Sequence, residues 1–238
     1  MSQENASTPI TPNQAASRML ASFSVTLLLS AVLIFGGAGR LNWTLGWIFV
    51  TAWIVPKLVF LFLLRWFDPD LLVERATRHK NAQPYDRIIV PIYFVFAFGT
   101  FIVASLDGGR FRWSGDVPVM WIIASYILYL LGNSLAGWAI NSNPFFSAES
   151  RLQTDRAQKV ASSGPYRFVR HPAYSAAFLL WITTGLMLES WWALIPGFLA
   201  GLMMVIRTVF EDRMLIAELP GYAEYAHRVH YRLVPGIW

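Results

Sequence analysis

Long apolar blocks with short polar breaks set the pattern of this chain. Met19 to Gly37, Trp43 to Trp66, Ile88 to Leu106 and Val117 to Ile140 each approach the roughly 20 residues that a helix needs to cross a bilayer. Pro172 to Glu189 and Trp191 to Phe210 form a further pair, with little more than Ser190 between them, which predicts a tight antiparallel hairpin. The expected fold is all-α: a polytopic membrane helical bundle of about six transmembrane helices. Charged or amide side chains fall inside two of the first four blocks. Pro56-Lys57 interrupts the second, where Lys57 reads as snorkelling or cavity-facing, with substrate contact as the alternative. Asn133 and Ser134 in the fourth read as hydrogen-bond formers between helices.

The polar segments divide the chain into three. Residues 1–18, with Pro9 and Pro12, predict a flexible cytoplasmic tail with a short surface helix near Asn13 to Arg18. The block after it is longer than the roughly 7–15 apolar residues of a signal peptide, so it reads as a span. Residues 19–140 form a four-span scaffold, with a polar loop at Phe67 to Arg87 and a short turn around Gly108-Gly109. Residues 141–238 are the region expected to carry chemistry. Asn141 to Arg170 is the longest polar connection, and its Phe145, Phe146, Leu152, Tyr166 and Phe168 predict that it is folded. The last span should run on through Glu211, Asp212 and Arg213 until Pro220-Gly221 breaks it, before a short amphipathic helix from Tyr222 to Val229 and an extended tail.

Composition agrees with this division. The chain is 55% hydrophobic and 14% charged, against about 25% charged in a soluble domain. It has no cysteine, which excludes disulfides, thiolate metal sites and cysteine nucleophiles. A net charge of +5 raises the question of nucleic acid, but the distribution answers it. With six spans, one side collects Arg18, Arg65, Arg75, Arg78, Lys80, Arg87 and the basic residues of both C-terminal polar regions, while the other holds Arg40, Arg110 and Arg112. That asymmetry predicts an inner-membrane protein with both termini cytoplasmic, its cations facing anionic lipid rather than DNA. Oligomeric state is not legible. The histidines form no HExxH, and no Walker loop or GxGxxG follows a strand, so neither a metal nor a nucleotide loop is expected.

Three polar clusters fall on the same side: Asn141 to Ser147, Gly164 to Tyr174, and Arg207 to Arg213. Gly164-Pro165 is a turn signal, and Pro172 suits the first turn of a helix, which puts His171 at a helix N-terminus with its free N–H groups. Arg, His and Tyr also serve as ordinary interfacial anchors, so this cluster alone fits a belt as well as a site. The hairpin brings Arg207 and Glu211, four apart on one helix face, back to His171 and Tyr174. An intrahelical ion pair would account for the first two. A pocket for a ligand with both an ammonium and a carboxylate would account for all four.

The block Gly164-Pro165-Tyr166…Val169-Arg170-His171-Pro172-Ala173-Tyr174, followed by Glu211-Asp212 and Gly221-Tyr222…Tyr225…Val229, resembles the isoprenylcysteine carboxyl methyltransferases and related phospholipid methyltransferases. The resemblance covers Asn141 to Trp238. It implies an S-adenosylmethionine-dependent integral-membrane methyltransferase with a cytoplasmic C-terminal cofactor-binding region, releasing S-adenosylhomocysteine. His171, Pro172, Tyr174 and Gln158 would contact the cofactor, Gly164 to Tyr166 would close over it, and Glu211 would hold its amino group. Arg207, or else Arg170, would orient an acceptor carboxylate. Gln158 stands where the family often has His, Ala176 where it has Gly, and Asp212 where it has a second Glu. The expected acceptor is a carboxylate of an isoprenoid or other lipophilic molecule. A phospholipid amine or a small thiol are alternatives within the class, and a membrane reductase or a non-catalytic membrane protein lie outside it.

Overall fold

The computed structural model describes residues 10–77 and 83–238. The start of the expected tail, and Arg78, His79 and Lys80 of the first polar loop, lie outside the described residues.

Eight α-helices follow in order: α1 Pro12–Ala38, α2 Thr44–Phe67, α3 Pro69–Ala76, α4 Asp86–Ala104, α5 Val119–Asn141, α6 Pro172–Met187, α7 Leu194–Glu218 and α8 Tyr222–Arg228. Among the described residues, five are long and apolar enough to cross a membrane: α1, α2, α4 with its continuation to Phe111, α5 and α7. The expected fifth span, α6, is apolar but only 16 residues long. At about 1.5 Å per residue it measures about 24 Å, while α7 with 25 residues reaches about 37 Å. Only 17–33% of the most apolar stretch of each long span is buried inside the protein, so most of that surface faces outward, as a lipid solvent requires.

The start of α1 differs from expectation. Thr11 caps it with a reciprocal box: its hydroxyl accepts from the Gln14 amide at 3.3 Å, and Gln14 Oε1 accepts from the Thr11 amide at 2.9 Å. With Pro12 at the first position, residues 12–18 extend the span rather than form a separate surface helix. The loop after α2 also contains a helix, α3, capped by Asp68, which buries Leu71 and Leu72.

The Gly108-Gly109 segment is no turn. α4 runs on as a π-helix from Ser105 to Phe111. A Cβ on Gly108 would lie 1.9 Å from the Leu188 carbonyl oxygen, so the missing side chain is what lets this segment meet the α6–α7 connection. Asp107 there is fully buried, accepting from the Ser114 amide at 2.7 Å, the Ser114 hydroxyl, and Ser190 Oγ at 2.6 Å. Asn133 and Ser134 depart from expectation as well. Each bonds the carbonyl four residues back in its own helix, Tyr129 and Leu130, at 2.9 and 3.0 Å.

Helices α4 to α7 form the most closely packed part of the bundle: α5 lies on α6, and α7 lies on both α4 and α6. This arrangement sets the end of α7 beside the start of α6.

Candidate functional site

His171 is the residue that caps α6, with Pro172 at its first position. Its carbonyl accepts from the amides of Tyr174 and Ser175 at 3.0 and 3.2 Å. Its own amide donates to the Arg232 carbonyl, as that of Arg170 does to Tyr231. The C-terminal tail, expected to be extended, therefore folds back along this segment, and Ser175 Oγ bonds the Leu233 carbonyl at 2.6 Å. Before it, Gly164–Arg167 makes one 3₁₀ turn. Gly164 has φ +56°, and a Cβ there would lie 2.2 Å from Ser142 Oγ, so the turn requires glycine. The turn buries Tyr166, whose carbonyl accepts from Tyr225 Oη at 2.7 Å.

Asp212 on α7 is the hub of this assembly. It is fully buried, and both of its oxygens are used. Arg170 Nε donates to Oδ1 and Nη2 to Oδ2, each at 2.8 Å. Arg232 Nε reaches Oδ2 at 2.8 Å, Tyr222 Oη donates to Oδ1 at 3.0 Å, and His171 Nε2 lies 3.2 Å from Oδ1. The remaining Arg170 nitrogen, Nη1, bonds the carbonyls of Val229 and His230 at 2.8 and 3.0 Å. Burial opposes the Arg170 charge, but the paired Asp212 outweighs it and holds the guanidinium pKa above its ordinary value. Burial and the Asp212 charge likewise raise the Tyr222 phenol. Burial pushes the Tyr166 phenol up to about 12, so both phenols are neutral at pH 7.

One residue earlier, Glu211 lines an open polar pocket together with Gln158, Tyr166, His171 and Tyr174. The pocket holds about 730 Å³ of space, its mouth included. Glu211 Oε2 accepts from Ser150 Oγ at 2.5 Å and from Tyr174 Oη at 2.6 Å. Among the described residues no hydrogen bond is found to its Oε1. Tyr174 stacks on the His171 ring at a centroid distance of 5.7 Å and 12°. Met214, Leu215 and Val160 supply an apolar wall.

Arg207 does not pair with Glu211, and it does not line this pocket. Its Nε and Nη2 grip Asp86 at 2.9 and 2.8 Å, and Nη2 also reaches the Ala148 carbonyl at 3.0 Å. Asp86, at the start of α4, also accepts from the Ser150 amide at 2.8 Å. The expectation that Arg207 orients an acceptor carboxylate is therefore corrected: Asp86 already supplies its carboxylate. Arg170 is corrected on the same ground, since Asp212 and backbone carbonyls occupy all three of its nitrogens. It lines the pocket as part of its frame.

The other expected residues divide. Tyr166, His171, Tyr174, Glu211 and Gln158 meet at one pocket; Gln158 Oε1 accepts from the Gln153 amide at 2.7 Å, which closes a loop at its rim. Gly164 and Pro172 shape the turn and the helix start without lining the pocket. Sequence reasoning missed Asp86, Ser150 and Tyr222 as parts of the site. Only Tyr222 carried a signal, through the Gly221-Tyr222 element of the resemblance. Among the described residues no group of three or more His, Cys, Asp or Glu converges as a metal site.

An apolar bundle of helices long enough to cross a membrane, with a polar pocket framed by buried ion pairs, is the architecture of a polytopic membrane protein. Residues 120–219 match the phospholipid methyltransferase family, a stretch from α5 through α7 that contains Tyr166, His171, Tyr174 and Glu211. The resemblance read from the sequence is borne out there. The chain is also similar to the cobalt-zinc-cadmium resistance protein CzcN of Cupriavidus metallidurans, with 34% identity over 132 residues. That alignment covers 54% of this chain and 56% of the relative, so the chain spans little more than half of that protein's length.

Proposed function

We propose that the chain is an S-adenosylmethionine-dependent membrane methyltransferase acting on a lipophilic acceptor, with a carboxylate of an isoprenoid or similar molecule as its first candidate. One observation carries this reading: Glu211 presents an uncommitted carboxylate oxygen to a pocket that also holds His171 and Tyr174, inside the segment that matches the methyltransferase family.

The residues present fit the cofactor. Glu211 suits its ammonium by charge, Tyr166 and the stacked His171–Tyr174 pair offer aromatic faces, and Leu215 and Val160 an apolar wall. When bound, the cofactor supplies a methyl group on a sulfonium, to be displaced in line. The protein's work is then to align donor and acceptor and to keep water out. A carboxylate acceptor is already a nucleophile at pH 7 and needs no base. The family description favours a phospholipid amine as the second candidate. An amine must lose a proton first, and His171, whose Nε2 lies between Asp212 and Tyr222, is the group placed to take it.

Calorimetry with S-adenosylhomocysteine on the purified chain tests the cofactor. Binding is expected in wild type and lost in Glu211→Ala and His171→Ala. Unchanged binding in both variants would remove the site assignment, and no binding to wild type would remove the cofactor. Labelled-methyl transfer against farnesylcysteine analogues, phosphatidylethanolamine and total lipid extract then separates the acceptors.

A further inference from the structure

A second cavity lies within the bundle. It holds about 1300 Å³ of space, its mouth included, among α1 to α6. The two cavities share a thin wall: Ser147 and Glu149 line the polar pocket, and Ala148 between them lines the inner one. The inner cavity is mainly aromatic and aliphatic, with Phe23, Phe98 and Trp181 among its walls, and it contains no Asp or Glu. It does contain two basic side chains, Lys57 and Arg75.

Arg75 is the unusual one. Its Nε and Nη1 are buried, and among the described residues neither has a hydrogen-bond partner. The guanidinium sits 5.0 Å from the Phe146 ring centroid and 5.6 Å from that of Phe60. Its neighbour Glu74 is turned to Arg151, at 2.8 Å. Ring faces offset only part of the cost of burying a guanidinium. Burial lowers its pKa to about 10, which leaves it charged at pH 7. Lys57 donates to the Trp53 carbonyl at 2.9 Å and lies 3.8 Å over the Trp53 ring, again with no acid paired to it among the described residues. Every other buried arginine described above has a carboxylate. One side of the cavity reaches the outer surface at Phe94, which is 45% exposed.

We infer that this cavity binds an anionic amphiphile, its acid group at Arg75 and Lys57 and its chain among the phenylalanines of α1 and α4. A phosphate or carboxylate would supply the hydrogen bonds and the charge that Arg75 lacks, and a hydrocarbon chain would fill a space that water would not. The two basic residues lie on α2 and α3, outside residues 120–219, and the inference does not depend on the methyl-transfer reading.

The test uses the full chain purified in a neutral maltoside detergent. Dodecanoate and dodecyl phosphate are expected to bind at least tenfold more tightly than dodecanol, measured by calorimetry. Arg75→Gln combined with Lys57→Gln should erase that preference, and Arg75→Lys should keep most of it. Native mass spectrometry from nanodiscs of mixed phosphatidylglycerol and phosphatidylcholine separates the sources. Retained phosphatidylglycerol would point to a bilayer lipid, and a preference confined to dodecanoate or dodecyl phosphate to a free single-chain acid. Equal binding of acid and alcohol by wild type would overturn the inference, as would an undiminished preference in the double variant. If that variant does not fold, a diazirine fatty acid on wild type decides: crosslinks at Phe23 or Phe98 support the site, and crosslinks confined to the outer surface overturn it.

Discussion

Glu211 and Asp212 are adjacent carboxylates on one helix, and they lead opposite lives. Asp212 is enclosed and takes up Arg170, Arg232, Tyr222 and His171 with its two oxygens. Glu211 is half-buried, takes two hydroxyls on one oxygen, and offers the other to the pocket. Successive helical residues point about 100° apart, so a single step along α7 turns a carboxylate from the interior to the pocket. The difference teaches that an acidic pair need not be a functional pair. One acid holds the C-terminal tail, α6 and α8 together, and the other lines the pocket.

The largest break of this contrast is Asp212→Ala. It would strand two guanidinium groups and an imidazole, and losing one partner of a buried pair costs about 3–5 kcal/mol. Against a total of roughly 5–15 kcal/mol this is severe, and the expected outcome is a large fall in melting temperature or loss of monodisperse protein in detergent. A midpoint equal to wild type would mean that the hub is not structural. Glu211→Gln should do the reverse: melting stays near wild type, while S-adenosylhomocysteine affinity falls about 10- to 150-fold, the worth of a charge-assisted hydrogen bond at about 1.5–3 kcal/mol. A variant that melts early but binds normally would exchange the two roles. Ser150→Ala removes one donor from Glu211 and should cost about 1 kcal/mol, read as a modest shift in the same binding curve.

The smallest effect is in pH. The Tyr166 phenol is raised from 10.0 to about 12 by burial, so the folded protein keeps its proton where the unfolded chain loses it. The stability this contributes is fully present below pH 10 and is lost as pH rises from 10 towards about 12. Tyr166→Phe should flatten that part of a melting-versus-pH curve, and an unchanged slope would refute the assignment.

Much of this architecture was legible in the sequence, because lipid-facing helices must be apolar along their whole length. The hairpin, the break at Pro220-Gly221 and the helix start at His171-Pro172 followed from local rules. Glu211, His171 and Tyr174 were found because the hairpin fixes which ends meet. Partner choice was not legible. Asp86 lies 121 positions before Arg207, and only packing of α4 on α7 brings them together, so the i,i+4 spacing of Arg207 and Glu211 could not show that Arg207 is held by a distant acid. The π-helix at Gly108-Gly109 was missed for a related reason. Two glycines read as a turn until the neighbour they admit, the Leu188 carbonyl, is known.

The length of α6 reaches beyond the protein itself. At about 24 Å it falls roughly 6 Å short of a hydrocarbon core about 30 Å thick, while α7 beside it overshoots. Hydrophobic mismatch costs fractions of a kcal/mol per Å, and a short element meets it by thinning the bilayer around it. A bilayer that thins to match α6 would bring its headgroups towards His171 and Tyr174, where the helix begins at the edge of the pocket. Lipid thickness would then be a setting of the site, and a membrane of thinner lipids would hold it with less distortion than a thick, sterol-rich one.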